Sequence, residues 1–233
     1  MSATTLYERI LKRTVGLELI VAVSGLMVVG FIFAHLYGNL HIFGGAEPFN
    51  AYPEHLREMG ALFWVARIGI AVAFVVHIFT AIQLAKKNRA ARGESRYAVS
   101  TRVGRKTPAT QYMLYSGIFI FAFLIIHLFD FTWTSHTGPK TAIGGEEMGL
   151  FGLVVNKLGN PIRGVFYIIA VMAVGAHLSH AIASVLVTLG ILGDEETPHA
   201  ERAAQAIGVV IALGFASIPI YVLVRTYIMG GFA

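Results

Sequence analysis

Cysteine is absent from all 233 residues. Its absence excludes disulfides, thiolate zinc sites and iron–sulfur ligation within the chain. It also excludes covalent c-type haem attachment, which needs a cysteine pair before a histidine. A metal group here must be held by histidine, methionine or carboxylate, and nine histidines are present. Charge is scarce too: charged residues make up 13% of the chain, about half the usual share. Hydrophobic residues reach 56%, which is more apolar surface than one soluble core of this size can hide. A bilayer takes it up, because lipid is itself apolar. Low-complexity tracts and convincing sequence repeats are missing as well.

The formal net charge is +5. In so apolar a chain this reads as basic cytoplasmic loops, and no nucleic-acid partner is expected. The segment Met1 to Thr14 is polar and amphipathic. The apolar run after it is too long for a signal h-region and lacks a small-residue cleavage site, so it reads as a retained span.

A helix crosses the hydrocarbon core in about 20 residues. Five runs qualify: Leu19–Phe43, Ala61–Ala85, Tyr112–Trp133, Val165–Leu192 and Ala206–Met229, the last with a kink expected at Pro219. Backbone groups in lipid must bond internally, so these are helices and not open strands. The expected fold is an all-α membrane protein, one transmembrane domain over residues 1–233 built as a five-helix bundle. Orientation follows from lysine and arginine in the short loops. Arg9, Lys12 and Arg13 precede span one, and eight basic residues from Lys86 to Lys106 join spans two and three. These segments are expected on the cytoplasmic side, which places the N-terminus inside. The two longer outer loops, 44–60 and 134–162, are expected to fold over the outer ends of the helices.

Polar groups inside a bilayer are costly and usually serve a function. His35, His77, His127, His177 and His180 all fall within spans, on four of the five. Interhelical hydrogen bonding explains one such histidine more readily than five. Depth separates them at 1.5 Å of rise per residue. His35 lies about 12 Å and His127 about 9 Å from the outer ends of their spans, whereas His77 lies about 12 Å from the inner end of its own. His177 and His180 sit nearer the middle of span four. Two stacked bis-histidine sites result: His35 with His127 in the outer half, and His77 with a span-four histidine in the inner half. Depth slightly favours His180 for that fourth place. Bis-imidazole ligation on facing helices suits a low-spin b-type haem that passes electrons, and two such haems stacked across the bilayer are expected. Small residues near the histidines, Gly25, Gly30, Gly69, Gly117, Gly175 and Ala176, fit either room for porphyrin or ordinary membrane helix packing.

The ordered set of segments resembles a known family. Ser24-Gly-Leu, His35-Leu-Tyr-Gly-Asn-Leu, Gly44-Gly-Ala-Glu-Pro-Phe-Asn-Ala-Tyr, the His77 span with its basic Lys86-Lys-Asn-Arg tail, Ile126-His-Leu, His177-Leu-Ser-His-Ala-Ile-Ala-Ser and Asp194-Glu-Glu-Thr-Pro run in that order. The chain is similar over nearly its whole length to the five-helix, dihaem cytochrome b subunits of B-type succinate:quinone oxidoreductases. The resemblance implies a membrane anchor with no dehydrogenase site of its own. It implies a flavoprotein subunit and an iron–sulfur subunit on the cytoplasmic face, and electrons passing through two b haems to menaquinone or another quinone. The setting implied is a prokaryotic cytoplasmic membrane. The ligands implied are His35 and His127 for the outer haem, and His77 and His177 for the inner, with His180 as runner-up for His177. One departure stands out: where some fumarate reductases of the family carry a glutamate two residues before the fourth ligand, this chain has Gly175.

Further residues have two readings each. Arg67, two turns into span two, fits a partner for an outer-haem propionate or a side chain snorkelling to headgroups. Arg13 is a second propionate candidate, at the inner mouth of span one. Asp130, one turn outward from His127, fits a proton acceptor at an outer quinone site or a helix-end residue, with Glu54 and Glu58 as rivals for the quinone role. His41, His55, His136 and His199 read as ordinary terminal or loop residues, and Trp64 and Trp133 as belt aromatics. The rival functions are another dihaem quinol-oxidising anchor, a fumarate reductase working in the opposite direction, and a haem-free transporter or assembly protein.

Overall fold

In a computed structural model, residues 14–91, 108–193 and 196–232 are described. Arg13, most of the basic loop between spans two and three, and the pair 194–195 lie outside them. The described residues form seven α-helices, α1 (Thr14–Leu40), α2 (Ala46–Glu58), α3 (Ala61–Ala91), α4 (Pro108–Phe131), α5 (Gly149–Gly159), α6 (Pro161–Thr188) and α7 (Thr197–Tyr227). A two-residue hairpin, β1 (Ala142–Ile143) and β2 (Glu146–Glu147), precedes α5.

Five helices, α1, α3, α4, α6 and α7, are long and apolar enough to cross a membrane. At most 39% of the most apolar stretch of any of them is buried within the protein. Val65, Tyr115 and Phe129 are each more than 60% exposed, which in water would drive aggregation and in lipid is ordinary. The chain is thus a multi-pass, all-α membrane bundle.

The helices run further than their apolar stretches. The fourth span begins at Pro161, not Val165, because Pro161 opens the helix at a position that needs no N–H. Before it, the Asn160 side chain accepts hydrogen bonds from the Ile162 and Arg163 amides at 3.1 and 3.2 Å. The same span stops at Gly190, whose φ of +69° permits the paired terminal bonds Ile191 N–H to Leu186 O and Gly190 N–H to Val187 O. The fifth span starts near Thr197–Pro198, and its helix continues through Pro219 without interruption.

α6 is the hub. It packs along α7 most extensively and also touches α1 and α4, while α1 packs along α3. α3 and α4 scarcely approach each other. The α6–α7 crossing is close because glycines face each other there: a Cβ on Gly208 would run into the Ser179 side chain and the Gly175 carbonyl. Gly175 therefore makes room for α7, the packing alternative, and not for a cofactor.

The side of the bundle where α1 begins is called here the near side. The far side is covered by α2, the hairpin and α5. α5 is a half-length helix whose Phe151 to Val155 run is buried. Ile42, Phe49, Phe151, Tyr167 and Val222 belong to one apolar cluster beneath this cap. Asn50 ties the two halves of the cap together, donating to the Met148 carbonyl and accepting from the Phe151 amide, both at 3.0 Å.

Candidate metal centres

Each of α1, α3, α4 and α6 contributes imidazoles at one of two levels. At the far-side level, the His35 and His127 rings lie 5.8 Å apart between centroids with planes at 88°. Around them stand Phe31, Phe215, Phe123, Phe131 and Tyr167. The backbones of α1 and α4 hardly approach each other, so the two rings bridge a gap that main chain does not close. His127 Nδ1 is enclosed and has no hydrogen-bond partner among the described residues. Such a nitrogen costs about 1–3 kcal/mol and leaves the ring with bonding capacity to spare. His35 Nε2 lies 3.4 Å from the Asn39 amide nitrogen, which also donates to the His35 carbonyl at 2.8 Å.

At the near-side level stand His77 of α3 and His177 and His180 of α6. His77 Nδ1 donates to the Val21 carbonyl of α1 at 3.3 Å. Gly25 leaves the space for this ring, since a Cβ there would stand 3.1 Å from His77 Cε1. His177 Nδ1 lies 2.9 Å from Ser116 Oγ of α4, and the ring faces Gly117. A carbonyl only accepts, so His77 donates from Nδ1 and, as a neutral ring, keeps its lone pair on Nε2. Tethering of one ring nitrogen is what orients a metal-ligating histidine through the other.

The levels are separated consistently along two independent helices. Gly25, beside His77, precedes His35 by ten residues, about 15 Å of helix. Ser116, beside His177, precedes His127 by eleven, about 16 Å.

The donor set fits two bis-imidazole haem sites. Imidazoles from two different helices stand at each level, the donors that such a group would take. Among the described residues no three His, Asp or Glu side chains gather closely enough to hold a bare metal ion by themselves. Comparison of the chain with protein-family models, with curated proteins and with solved structures finds no match in any of the three.

The remaining candidates are placed as follows. Asp130 is 3% exposed and both its oxygens are engaged. Oδ1 accepts from Lys157 at 3.0 Å, and Oδ2 accepts from Arg163 at 3.2 Å and from the Tyr167 hydroxyl at 3.0 Å. Three of the roughly four lone-pair sites of the carboxylate are thereby taken. Glu54 and Glu58 lie exposed on α2, with Glu58 paired to His55 at 3.2 Å. Arg67 is exposed on α3, its guanidinium carbon 5.6 Å from the centroid of the Trp64 ring and 5.9 Å from that of Phe63. It lines a shallow groove with Trp64, Ile68 and Val72 in which no histidine takes part, the arrangement of a snorkelling side chain. Arg13 lies outside the described residues. Gly30 and Gly69 have nothing within 4 Å of a would-be Cβ.

Sequence reasoning did not single out Ser116, Asn39, Tyr167, or Lys157 and Arg163 as partners of Asp130. Ser116 carries a faint signal, a small hydroxyl in an aromatic-rich span. The basic pair was visible only as loop charge.

Proposed function

We propose that this chain is the dihaem cytochrome b anchor of a succinate:quinone oxidoreductase. The observation that carries the reading is the arrangement of imidazoles from four membrane-spanning helices at two levels about 15 Å apart, with His35 facing His127 at one, and His77 seated beside Gly25 and His177 beside Ser116 at the other. Haem held this way supplies a reversible one-electron ferric–ferrous couple with no open position for oxygen. The residues of the chain do the rest: His35 and His127 would hold one group and His77 and His177 the other. The aromatic lining around His127 excludes water. The two levels pass electrons along the membrane normal.

By the resemblance stated above, a flavoprotein and an iron–sulfur subunit supply electrons from succinate at the near side. That side is cytoplasmic by the distribution of basic residues, and the basic end of α3 at Lys86 and Arg89 is part of the docking face. A membrane quinone takes the electrons. If it reacts at the far side, each electron crosses most of the bilayer, and the potential contributes about 2.3 kcal/mol per charge per 100 mV. Asp130, Glu54 and Glu58 are the carboxylates on that side. Of these Asp130 lies nearest the outer histidines, and Oδ1, which accepts only from Lys157 among the described residues, keeps a lone pair for a proton.

The test is a reduced-minus-oxidised spectrum with haem quantitation on the purified complex. Two protohaems per chain, a b-type α-band and co-purified flavoprotein and iron–sulfur subunits are expected. Two haems with a molybdenum-type partner in place of the flavoprotein would shift the assignment to another quinol-oxidising anchor. A colourless protein would return the chain to the transporter reading. Succinate–quinone activity indifferent to an uncoupler and to Asp130→Asn would count against the far-side quinone site.

A further inference from the structure

We infer that Ser116 is a positioning residue for His177: its hydroxyl holds that imidazole as the Nδ1–H tautomer and so presents Nε2, and not a nitrogen of His180, as the fourth ligand. The inference rests on the dihaem reading and adds to it a residue outside the ligand set.

The hydroxyl of Ser116 has one hydrogen and makes two contacts. It donates to the Met113 carbonyl at 3.1 Å, three residues back on the same helix, and it lies 2.9 Å from His177 Nδ1. Met113 O is an acceptor only. Both contacts are hydrogen bonds at once only if the imidazole donates the second, Nδ1–H to Ser116 Oγ. The proton is then committed to Nδ1, and Nε2 carries a bare lone pair. His77 reaches the same state by a different route, through the Val21 carbonyl of α1. The two near-side imidazoles are thus fixed in the same tautomer by groups on two helices that hardly approach each other.

The seat is specific to His177. α4 packs directly against α6, and Gly117 beside Ser116 has no side chain. A Cβ there would stand 3.7 Å from His177 Cε1, in ordinary van der Waals contact, so the ring lies flush against the α4 surface. His180 is three residues further along α6, on a neighbouring stretch of the same face, and its ring has no hydroxyl tether of this kind among the described residues. Depth along the helix slightly favours His180, whereas the Ser116 hydroxyl singles out His177. A hydrogen bond from the Nδ1 proton also makes the ring a stronger donor through Nε2, as outer partners of metal-bound histidines do generally. A stronger donor favours the ferric over the ferrous state.

The experiment compares the wild-type chain in its complex with Ser116→Ala, Ser116→Thr and His180→Ala. The readouts are redox titration and haem retention in the complex, and the ring ¹⁵N shifts of His177 in histidine-labelled, haem-free full-length chain. In Ser116→Ala, one midpoint is expected to move positive while the other stays in place. The affected haem is expected to be held about 10-fold or more less tightly, and the His177 ¹⁵N pattern should lose its pure Nδ1–H character. Ser116→Thr, which keeps the hydroxyl, restores all three, and His180→Ala leaves both haems. The inference is overturned if Ser116→Ala leaves the His177 ¹⁵N pattern unchanged, or leaves both midpoints where they were, or if His180→Ala removes a haem. A wild-type chain that binds no haem would sink the proposed function instead. In that case the ¹⁵N comparison still decides whether Ser116 sets the tautomer.

Discussion

His35 and His127 meet edge to face, 5.8 Å between ring centroids and 88° between planes, across two helices whose backbones scarcely come together. A metal shared by the two rings would need them at close range, as they are. An aromatic pair packed edge to face falls in the same range, so the pair has to be separated by mutation. Either His35→Ala or His127→Ala is expected to reduce haem from two to one per chain. The double variant should lose no more than either single one, because both act on one group. His77→Ala and His177→Ala should remove the other haem. Haem per chain by optical quantitation checks this; a single variant that leaves both haems in place would break the pairing.

Gly25 and Gly30 lie on the same helix and differ in what faces them. A methyl on Gly25 would stand 3.1 Å from His77 Cε1 and 3.3 Å from Nδ1, whereas one on Gly30 meets nothing within 4 Å. Gly25→Ala is expected to push the His77 ring off the Val21 carbonyl and to shift the spectrum or midpoint of the near-side group alone. Gly30→Ala should leave the spectrum unchanged, with helix propensity favouring it by about 1 kcal/mol. Equal effects from the two changes would mean that Gly25 is only a packing residue.

The Asp130 carboxylate joins three helices, since Lys157 is on α5, Arg163 and Tyr167 on α6, and Asp130 itself on α4. Tyr167→Phe removes one buried hydrogen bond to a charged group and is expected to destabilise the bundle by about 2 kcal/mol. Asp130→Ala is expected to cost more, although the partial exposure of Lys157 and Arg163, 31% and 43%, lets both cations find water and keeps the loss below that of a fully buried pair. Thermal unfolding of the detergent-solubilised protein, followed by helicity, orders the three proteins. A Tyr167→Phe variant as stable as the parent would show that the phenol is not held by the carboxylate.

Arg67 separates its two readings by a silent change. With its guanidinium over Trp64 and Phe63 on an exposed face, Arg67→Gln is expected to leave haem content and both midpoints unaltered and to cost about 0.5–1 kcal/mol, the scale of an exposed cation–π contact. A midpoint displaced by the loss of this charge would restore the propionate role.

Much of the architecture follows from the amino-acid sequence alone, because depth in a helix is linear in residue number. The length of an apolar run decides whether it can span, and the fixed rise per residue decides that His35 and His127 share one level while His77 shares another with the span-four histidines. The sequence also gathers eight basic residues between Lys86 and Lys106 and leaves thiolate chemistry out. Tertiary structure alone decided the azimuth of each side chain about its helix and the neighbour it meets. Helices that are apolar nearly all round carry no amphipathic stripe to announce which face turns inward. Thus packing, not pattern, put Ser116 against His177, left Arg67 on an exposed face over Trp64, gave the space at Gly175 to α7, and brought Lys157 and Arg163 onto Asp130 from about thirty residues away. The far-side cap was legible only as loops, since α2 and the half-length α5 hold their shape by burial against the bundle and not by span-length hydrophobicity.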